Sequence, residues 1–497
     1  MEILLGIFYL VIFLFIIKKM SFFTLNGISK NLVYSIFIIK VLAGTTLYYY
    51  YLKTAPLAGD IFKYFNDGKI MQSQFAESPS LFFDLFFDKG DPAVNESVYV
   101  RMTSWYRSGE TLLASDNRML VRFNAILHFI SFGSYHVHNV IMCFLSFIGL
   151  IGLYKSFKSF TPQLKWIDLI LITCLPSILF WSSGVLKEGL IFFALGIFLY
   201  STTQNTFNWK KAALILISLL ILLNLKLFIL LSFLPAWLIY KYIAPKFKIT
   251  LIPYLVLIGI GIIGVFGLSY ISPNKNIISN ISEKSINFRN VAIGGTWLKN
   301  DTSIVYLRHD QLDKIIEEKD QKYFARIAPN TKYIYWKDAA KRDTLIETNN
   351  SNNDLFKIIY QGEPAGSYIP SPIVENNFSS ALAITPYALF NTIVRPLPKS
   401  KGIMIFISGV ENMCFLILIV ICIWFRKVKS EINFNLLWFC LLFVLINYWL
   451  IGSVTPILGA IIRYKVPMLP FIIIAILHIL DKHKLEEKFN FIKKINL

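Results

Sequence analysis

The chain has 497 residues, 55% of them hydrophobic and 43 of them Phe, with a formal net charge of +19. A soluble domain has too little interior to cover that much apolar surface, and long apolar runs recur along the chain, so it reads as a polytopic membrane protein. The charge does not imply a nucleic-acid partner: segment 272–400 carries 16 Lys/Arg against 13 Asp/Glu and segment 53–135 carries 8 against 9, which leaves the basic excess in short connectors.

The chain opens with an apolar run at 3–17 followed by Lys18, Lys19 and Lys30. Glu2 is its first charge and the lysines come after the run, the reverse of a secretory signal peptide. A second run, 32–52, contains Lys40 and ends in Tyr48-Tyr49-Tyr50-Tyr51, an aromatic cluster of the kind found at membrane surfaces. Loop 53–135 follows, with Gly59-Asp60 and Asp67 near its start. Within it, 118–130 reads as a helix lying in the membrane interface, basic on one side and apolar on the other. Further runs fall at 137–154, 167–181 and 186–201. The run 212–243 is too long for one span at about 1.5 Å per residue, so a break is expected near Asn224-Leu225-Lys226. The next run is 250–271, and 402–425, 434–451 and 466–480 close the series.

The expected fold is therefore an all-α polytopic membrane protein of about 11 transmembrane helices with a mixed α/β extracytoplasmic insert. Residues 1–271 hold helices one to eight and the external loop 53–135, residues 272–400 form the insert, and 401–497 hold helices nine to eleven and a tail. Basic clusters at 18–30, 155–165, 209–211, 241–248, 426–429 and 482–494 fall on every second connector. That alternation puts the amino terminus outside, the carboxyl terminus in the cytoplasm, and both large loops on the outer face of a bacterial inner membrane. Inside the insert, 311–319 has the charge spacing of a helix, Lys332–Trp336 alternates like a strand, and Asn349–Asn353 reads as a loop. The segment 379–394 is expected to return along the membrane surface.

Charged side chains near membrane depth are costly and face a cavity or one another. Asp60, Asp67, Lys187, Glu188, Lys226, Arg395, Glu411, Arg463 and Tyr464 all fall toward the outer face in this topology. Arg and Lys suit a phosphate or pyrophosphate, and a carboxylate suits proton removal from a sugar hydroxyl. Asp60 is the candidate base. In a helix from residue 60, Tyr64 and Asp67 would share its face, and Asp60 and Asp67 are also a candidate pair for a divalent cation, though nothing demands one. The five cysteines, Cys143, Cys174, Cys414, Cys422 and Cys440, lie in apolar runs without disulfide or zinc spacing. His136-Val137-His138 lacks a carboxylate to complete a ligand set, and Asn95-Glu96-Ser97, Asn300-Asp301-Thr302 and Asn377-Phe378-Ser379 match the glycosylation acceptor pattern.

An acidic residue just beyond a span (Gly59-Asp60), a short helical segment after it (118–130) and a late Arg463-Tyr464-Lys465-Val466-Pro467 before the last span resemble the GT-C superfamily of polytopic glycosyltransferases. The stretch from Pro176 to Glu188 is similar to membrane proteins of bacterial surface-polysaccharide clusters. In GT-C proteins the acidic loop usually follows the first span, and here it follows the second. The resemblance implies transfer of a sugar from a polyprenyl-phosphate-linked donor to a glycan, lipid or protein acceptor on the extracytoplasmic face. Asp60 and Asp67 would be catalytic, and Tyr64, Lys187, Glu188, Lys226, Arg395, Glu411, Arg463 and Tyr464 would bind substrate. Two other readings stand beside it: an O-antigen or exopolysaccharide polymerase, and a non-catalytic membrane scaffold whose insert binds a partner.

Overall fold

The computed structural model describes residues 2–489 except 56–58, 106–115, 162–165, 205–207, 272–275, 399–401 and short stretches between strands in 300–364. In chain order the helices are α1 (Glu2–Lys19), α2 (Lys30–Thr54), α3 (Asp60–Glu77), α4 (Pro79–Phe87), α5 (Pro92–Tyr99), α6 (Asp116–Ser131), α7 (Tyr135–Phe157), α8 (Trp166–Thr173), α9 (Pro176–Trp181), α10 (Lys187–Thr203), α11 (Trp209–Leu225), α12 (Leu227–Leu238), α13 (Ile252–Ile271) and α14 (Ile277–Ile293). Seven strands follow: β1 (Gly295–Lys299), β2 (Ile304–Arg308), β3 (Leu312–Glu318), β4 (Lys322–Ile327), β5 (Lys332–Trp336), β6 (Leu345–Asn349) and β7 (Leu355–Gly362). The chain ends with α15 (Phe378–Ala383), α16 (Thr385–Ile393), α17 (Ile403–Trp424), α18 (Phe434–Val454), α19 (Leu458–Lys465), α20 (Leu469–Ile479) and α21 (Lys482–Lys488).

The protein is mostly helical. Among the described residues six helical segments are long and apolar enough to cross a membrane: Lys30–Thr54, Tyr135–Phe157, Leu227–Lys246, Ile403–Trp424, Phe434–Val454 and Leu458–Ile479. The expected single span at 167–181 is instead two short helices, α8 and α9, because Pro176 cannot continue α8 and opens α9 as its first residue. The expected break in 212–243 falls at Lys226, the residue between α11 and α12.

The chain divides into two compact units. The first comprises Met1–Gly259, Ile407–Asn447 and Arg463–Leu497. At its centre α7 packs on α10 through glycines: a Cβ on Gly149 would stand 2.1 Å from the Phe192 carbonyl oxygen, and one on Gly196 would stand 1.8 Å from that of Gly149. Backbones that close need small residues at the crossing. α7 is 23 residues long, about 34 Å, enough to cross a bilayer core.

Several basic connectors meet at one end of this unit. Lys158 Nζ donates to the Asn26 carbonyl at 2.8 Å, and Lys155 lies over the rings of Phe22 and Tyr200. His478, near the end of α20, links two connectors, with Nδ1 3.0 Å from the Phe160 carbonyl and Nε2 accepting from the Asn433 amide at 2.7 Å. Lys484 Nζ donates to the Arg426 carbonyl at 2.9 Å, and Asn435 donates to the Tyr240 carbonyl at 2.8 Å. α7 and α10 start at the other end, where Tyr135 and the turn 182–186 meet.

The second unit comprises Ile260–Phe406 and Tyr448–Ile462. Its strands form one antiparallel sheet in the order β3-β4-β7-β1-β2-β5-β6, with Leu298, Val305, Leu307, Ala325 and Phe356 as its core. The helix expected at 311–319 is strand β3, paired with β4. The charge spacing that suits a helix also suits this hairpin, since Glu318 sits opposite Lys322. Lys332–Trp336 is strand β5. Asn349 ends β6, and 350–353 lie outside the described residues. The segment 379–394 forms α15 and α16, anchored by Trp449 Nε1 donating to Thr385 Oγ1 at 2.9 Å.

Candidate functional site

The site is built from three residues of the first unit, each near the end of a helix. Asp60 is the first residue of α3, where the positive end of the helix dipole favours its charge. Glu188 is in the first turn of α10, and Arg463 is in the last turn of α19. Arg463 joins the two carboxylates. Its Nη1 donates to Asp60 Oδ2 at 2.7 Å, its Nε to Glu188 Oε1 at 2.8 Å and its Nη2 to Glu188 Oε2 at 3.3 Å. The Glu188 arm is a bidentate fork, which a lysine cannot reproduce.

Exposure separates the two acids. The side chain of Glu188 is 2% exposed and that of Arg463 11%, whereas that of Asp60 is 40% exposed. Glu188 is thus a buried counter-ion, and Asp60 keeps an open side. Burial pushes the Asp60 carboxyl up, but the charge and hydrogen bond of Arg463, with Lys187 and Lys63 beyond, hold it below the usual carboxylate value on balance. Trp181 lies under the guanidinium, 5.8 Å from ring centroid to Cζ.

Lys187 is 3% exposed and reaches the other way. Its Nζ donates to Asn117 Oδ1 at 2.6 Å and lies 5.2 Å from the centre of the Tyr64 ring. Tyr64 O–H donates to the same Asn117 oxygen at 3.0 Å, and Asn117 Nδ2 donates to the Ser104 carbonyl at 3.1 Å. Asp67 has a different task from Asp60. It is 1% exposed and accepts from the amides of Thr103 and Ser104 at 2.9 and 2.7 Å, and from both of their hydroxyls. Asp60, Tyr64 and Asp67 share α3, yet each meets a different partner.

The turn before α10 is fixed from below. Gly184 has φ +75°, a left-handed conformation that a side chain would strain. Lys40, fully buried in α2, donates to Ser182 Oγ at 2.5 Å. Among the other sequence candidates, Lys226 lies 5.0 Å from the Tyr464 ring centre, next to Arg463 in sequence. Glu411 accepts from the Ser177 amide at 2.7 Å, while its neighbour Asn412 accepts from Lys465 at 2.9 Å. Arg395 belongs to the second unit, over the Phe390 ring.

No protein-family model, curated protein or solved structure matches this chain. Its chemistry has to be read from the side chains. The acidic pair is a poor fit to a divalent cation, because Asp67 already accepts four hydrogen bonds and Asp60 carries a guanidinium. Both ring nitrogens of His138 are engaged, Nδ1 by Asn124 Oδ1 at 2.7 Å and Nε2 by Ser131 Oγ at 2.8 Å. Among the described residues no group of three or more His, Cys, Asp or Glu is placed to hold a metal ion. Sequence reasoning missed Asn117, the hub between α3 and α10, although it lies one residue before the helical segment it singled out. Of the three asparagines in the glycosylation acceptor pattern, Asn95 is 5% exposed. Asn377 caps α15, and Asn300 lies outside the described residues.

Proposed function

We propose that this chain is an integral membrane glycosyltransferase of GT-C type, moving a sugar from a polyprenyl-phosphate-linked donor to a glycan, lipid or protein acceptor at the extracytoplasmic face. The observation that carries the reading is the half-exposed Asp60 carboxylate, held ionised by a buried arginine whose own charge is balanced by Glu188. Such a group can take a proton but has little reason to be built from three chain segments for stability alone, since buried ion pairs seldom exceed apolar packing in net stability.

The reaction follows from that geometry. The acceptor hydroxyl oxygen attacks the anomeric carbon as its proton passes to the open oxygen of Asp60. The bond from anomeric carbon to phosphate oxygen breaks, and its electron pair leaves with the polyprenyl phosphate. Lys226, beside Tyr464, and the remaining N–H groups of Arg463 are the donors assigned to that phosphate. Glu188 and Asp67 are positioning residues: one orients Arg463, the other holds the 103–104 turn against α3.

The reading keeps eleven spans, with α8 and α9 counted together as one, the amino terminus outside and the carboxyl terminus inside. The meeting of connectors 18–30, 155–165, 426–429 and 482–488 supports it, because it gathers the positive charge on one face as the positive-inside rule requires. The test is transfer from a synthetic polyprenyl-phosphate sugar by purified protein in vesicles. Transfer is expected in the native chain and lost in Asp60→Asn. A native protein that binds donors of this class but never releases polyprenyl phosphate contradicts the proposal.

A further inference from the structure

Two charged side chains at membrane depth take no part in the reaction above: Lys40 in α2 and Glu411 in α17. Both end on the stretch 177–182, which leads into α10. Glu411 accepts from the amide of Ser177, the second residue of α9, at 2.7 Å. Lys40 donates to Ser182 Oγ at 2.5 Å, and that hydroxyl donates in turn to the Ile178 carbonyl at 2.5 Å. Between the two contacts stands Trp181, the last residue of α9, with the Arg463 guanidinium over its ring. Past Ser182 the chain turns at Gly184 and starts α10 with Lys187 and Glu188. All of these residues belong to the first unit.

α17 also holds the other partner. Asn412, next to Glu411, accepts from Lys465 Nζ at 2.9 Å, and Lys465 stands two residues after Arg463. One turn of α17 thus reaches both the segment under Arg463 and the segment that carries it. On the α2 side the fit is close: a Cβ on Gly44 would stand 2.0 Å from Asn139 Oδ1 and 3.0 Å from the Gly184 amide nitrogen. The gap lined by Ser177, Glu411 and Lys465 is about 10 Å³, room for one water and too small for a sugar or a phosphate. Glu411 therefore has a task other than binding substrate.

Lys40 is fully buried and, among the described residues, meets a hydroxyl rather than a carboxylate. A basic group so placed costs stability that an apolar side chain of similar size would not. We propose that Lys40 and Glu411 are positioning residues, which hold 177–182 so that Trp181 and Glu188 meet Arg463. Their effect on transfer rests on the glycosyltransferase reading; their hold on Trp181 does not. A misplacement of about 1 Å at such a site is enough to cost about 100-fold in rate.

Fluorine NMR of the fluorotryptophan-labelled full-length protein in detergent reads that hold directly. Of the ten tryptophans, the Trp181 line is the one lost in Trp181→Phe. Lys40→Met and Glu411→Ala are expected to move it. Ser182→Ala removes the Lys40 contact from the other side and is expected to move it too. Glu411→Gln keeps an oxygen that can accept from the Ser177 amide and is expected to leave the line in place. Lys40→Met is further expected to melt at or above the native temperature, because a buried basic group is gone, and yet to transfer sugar about 100-fold more slowly. A residue that only stabilised the fold would do the reverse, with lower melting and native transfer by the folded protein. The proposal is overturned by that reverse pattern, by an unmoved Trp181 line in folded Lys40→Met, Ser182→Ala or Glu411→Ala, or by Glu411→Gln moving the line as far as Glu411→Ala. Failure of the transfer reading looks different: the Trp181 line moves as expected, but the native chain itself transfers no sugar.

Discussion

Replacing Arg463 with Ala removes the guanidinium that Glu188 and Asp60 share. The cost follows from exposure. Glu188 is 2% exposed and loses both hydrogen bonds of the fork, and breaking a buried pair from one side typically costs about 3–5 kcal/mol. Asp60 is 40% exposed and turns to solvent, so its share is about 1 kcal/mol or less. Asp60→Asn is accordingly expected to melt near the native temperature and Arg463→Ala far below it. Adding Glu188→Gln to Arg463→Ala removes the stranded charge and is expected to recover on the order of 1–3 kcal/mol. Thermal denaturation in detergent with a fluorogenic thiol dye reads this, because Cys143 and Cys440 are fully buried. The reasoning is refuted if Arg463→Ala melts as high as Asp60→Asn, or if Glu188→Gln lowers the Arg463→Ala variant further.

Asp60 has a folded pKa below its ordinary value, so its ion pair stabilises fully above the unfolded carboxylate value of about 3.9 and is lost as pH falls through the folded value. The difference in melting between native and Asp60→Asn should stay constant from pH 8 to 5, and its disappearance by pH 6 would contradict the pair. Asp67→Ala strands the buried Ser104 amide, which costs about 1–3 kcal/mol, and frees the part-buried Thr103 amide, so it should melt well below Asp60→Ala; equal melting would count against its role in holding the 103–104 turn. An impermeant thiol reagent should label Ser80→Cys and Asn350→Cys in cells with a permeable outer membrane, but not Lys429→Cys, and the opposite pattern reverses the orientation.

Much of the site was legible because charge near lipid is conspicuous. Asp60, Glu188 and Arg463 each stand at the end of an apolar run, and the cost of burying them requires partners. Which partners they take was not legible, since Asp60 and Arg463 meet across 403 positions of chain. Asp67 shows the limit of helical spacing. Seven residues from Asp60 describes the shared helix, but the task of Asp67 is set by a turn arriving from Thr103 and Ser104. Lys226 was readable as a break because a 32-residue apolar run exceeds one bilayer crossing. The run at 167–181 hid its break, because its length fitted one span and Pro176 carried little weight in a hydrophobicity reading. In β3, local charge spacing favoured a helix and pairing with β4 decided otherwise, as tertiary context often does.

The most direct measurement is the release of polyprenyl phosphate and the appearance of a glycosylated acceptor when purified protein in vesicles is given a radiolabelled polyprenyl-phosphate sugar and an acceptor fraction from its host envelope. The native chain is expected to transfer label. Folded Asp60→Asn is expected to bind the donor but transfer about 100- to 10,000-fold more slowly, as for loss of a general base. Near-native turnover by Asp60→Asn would contradict the account.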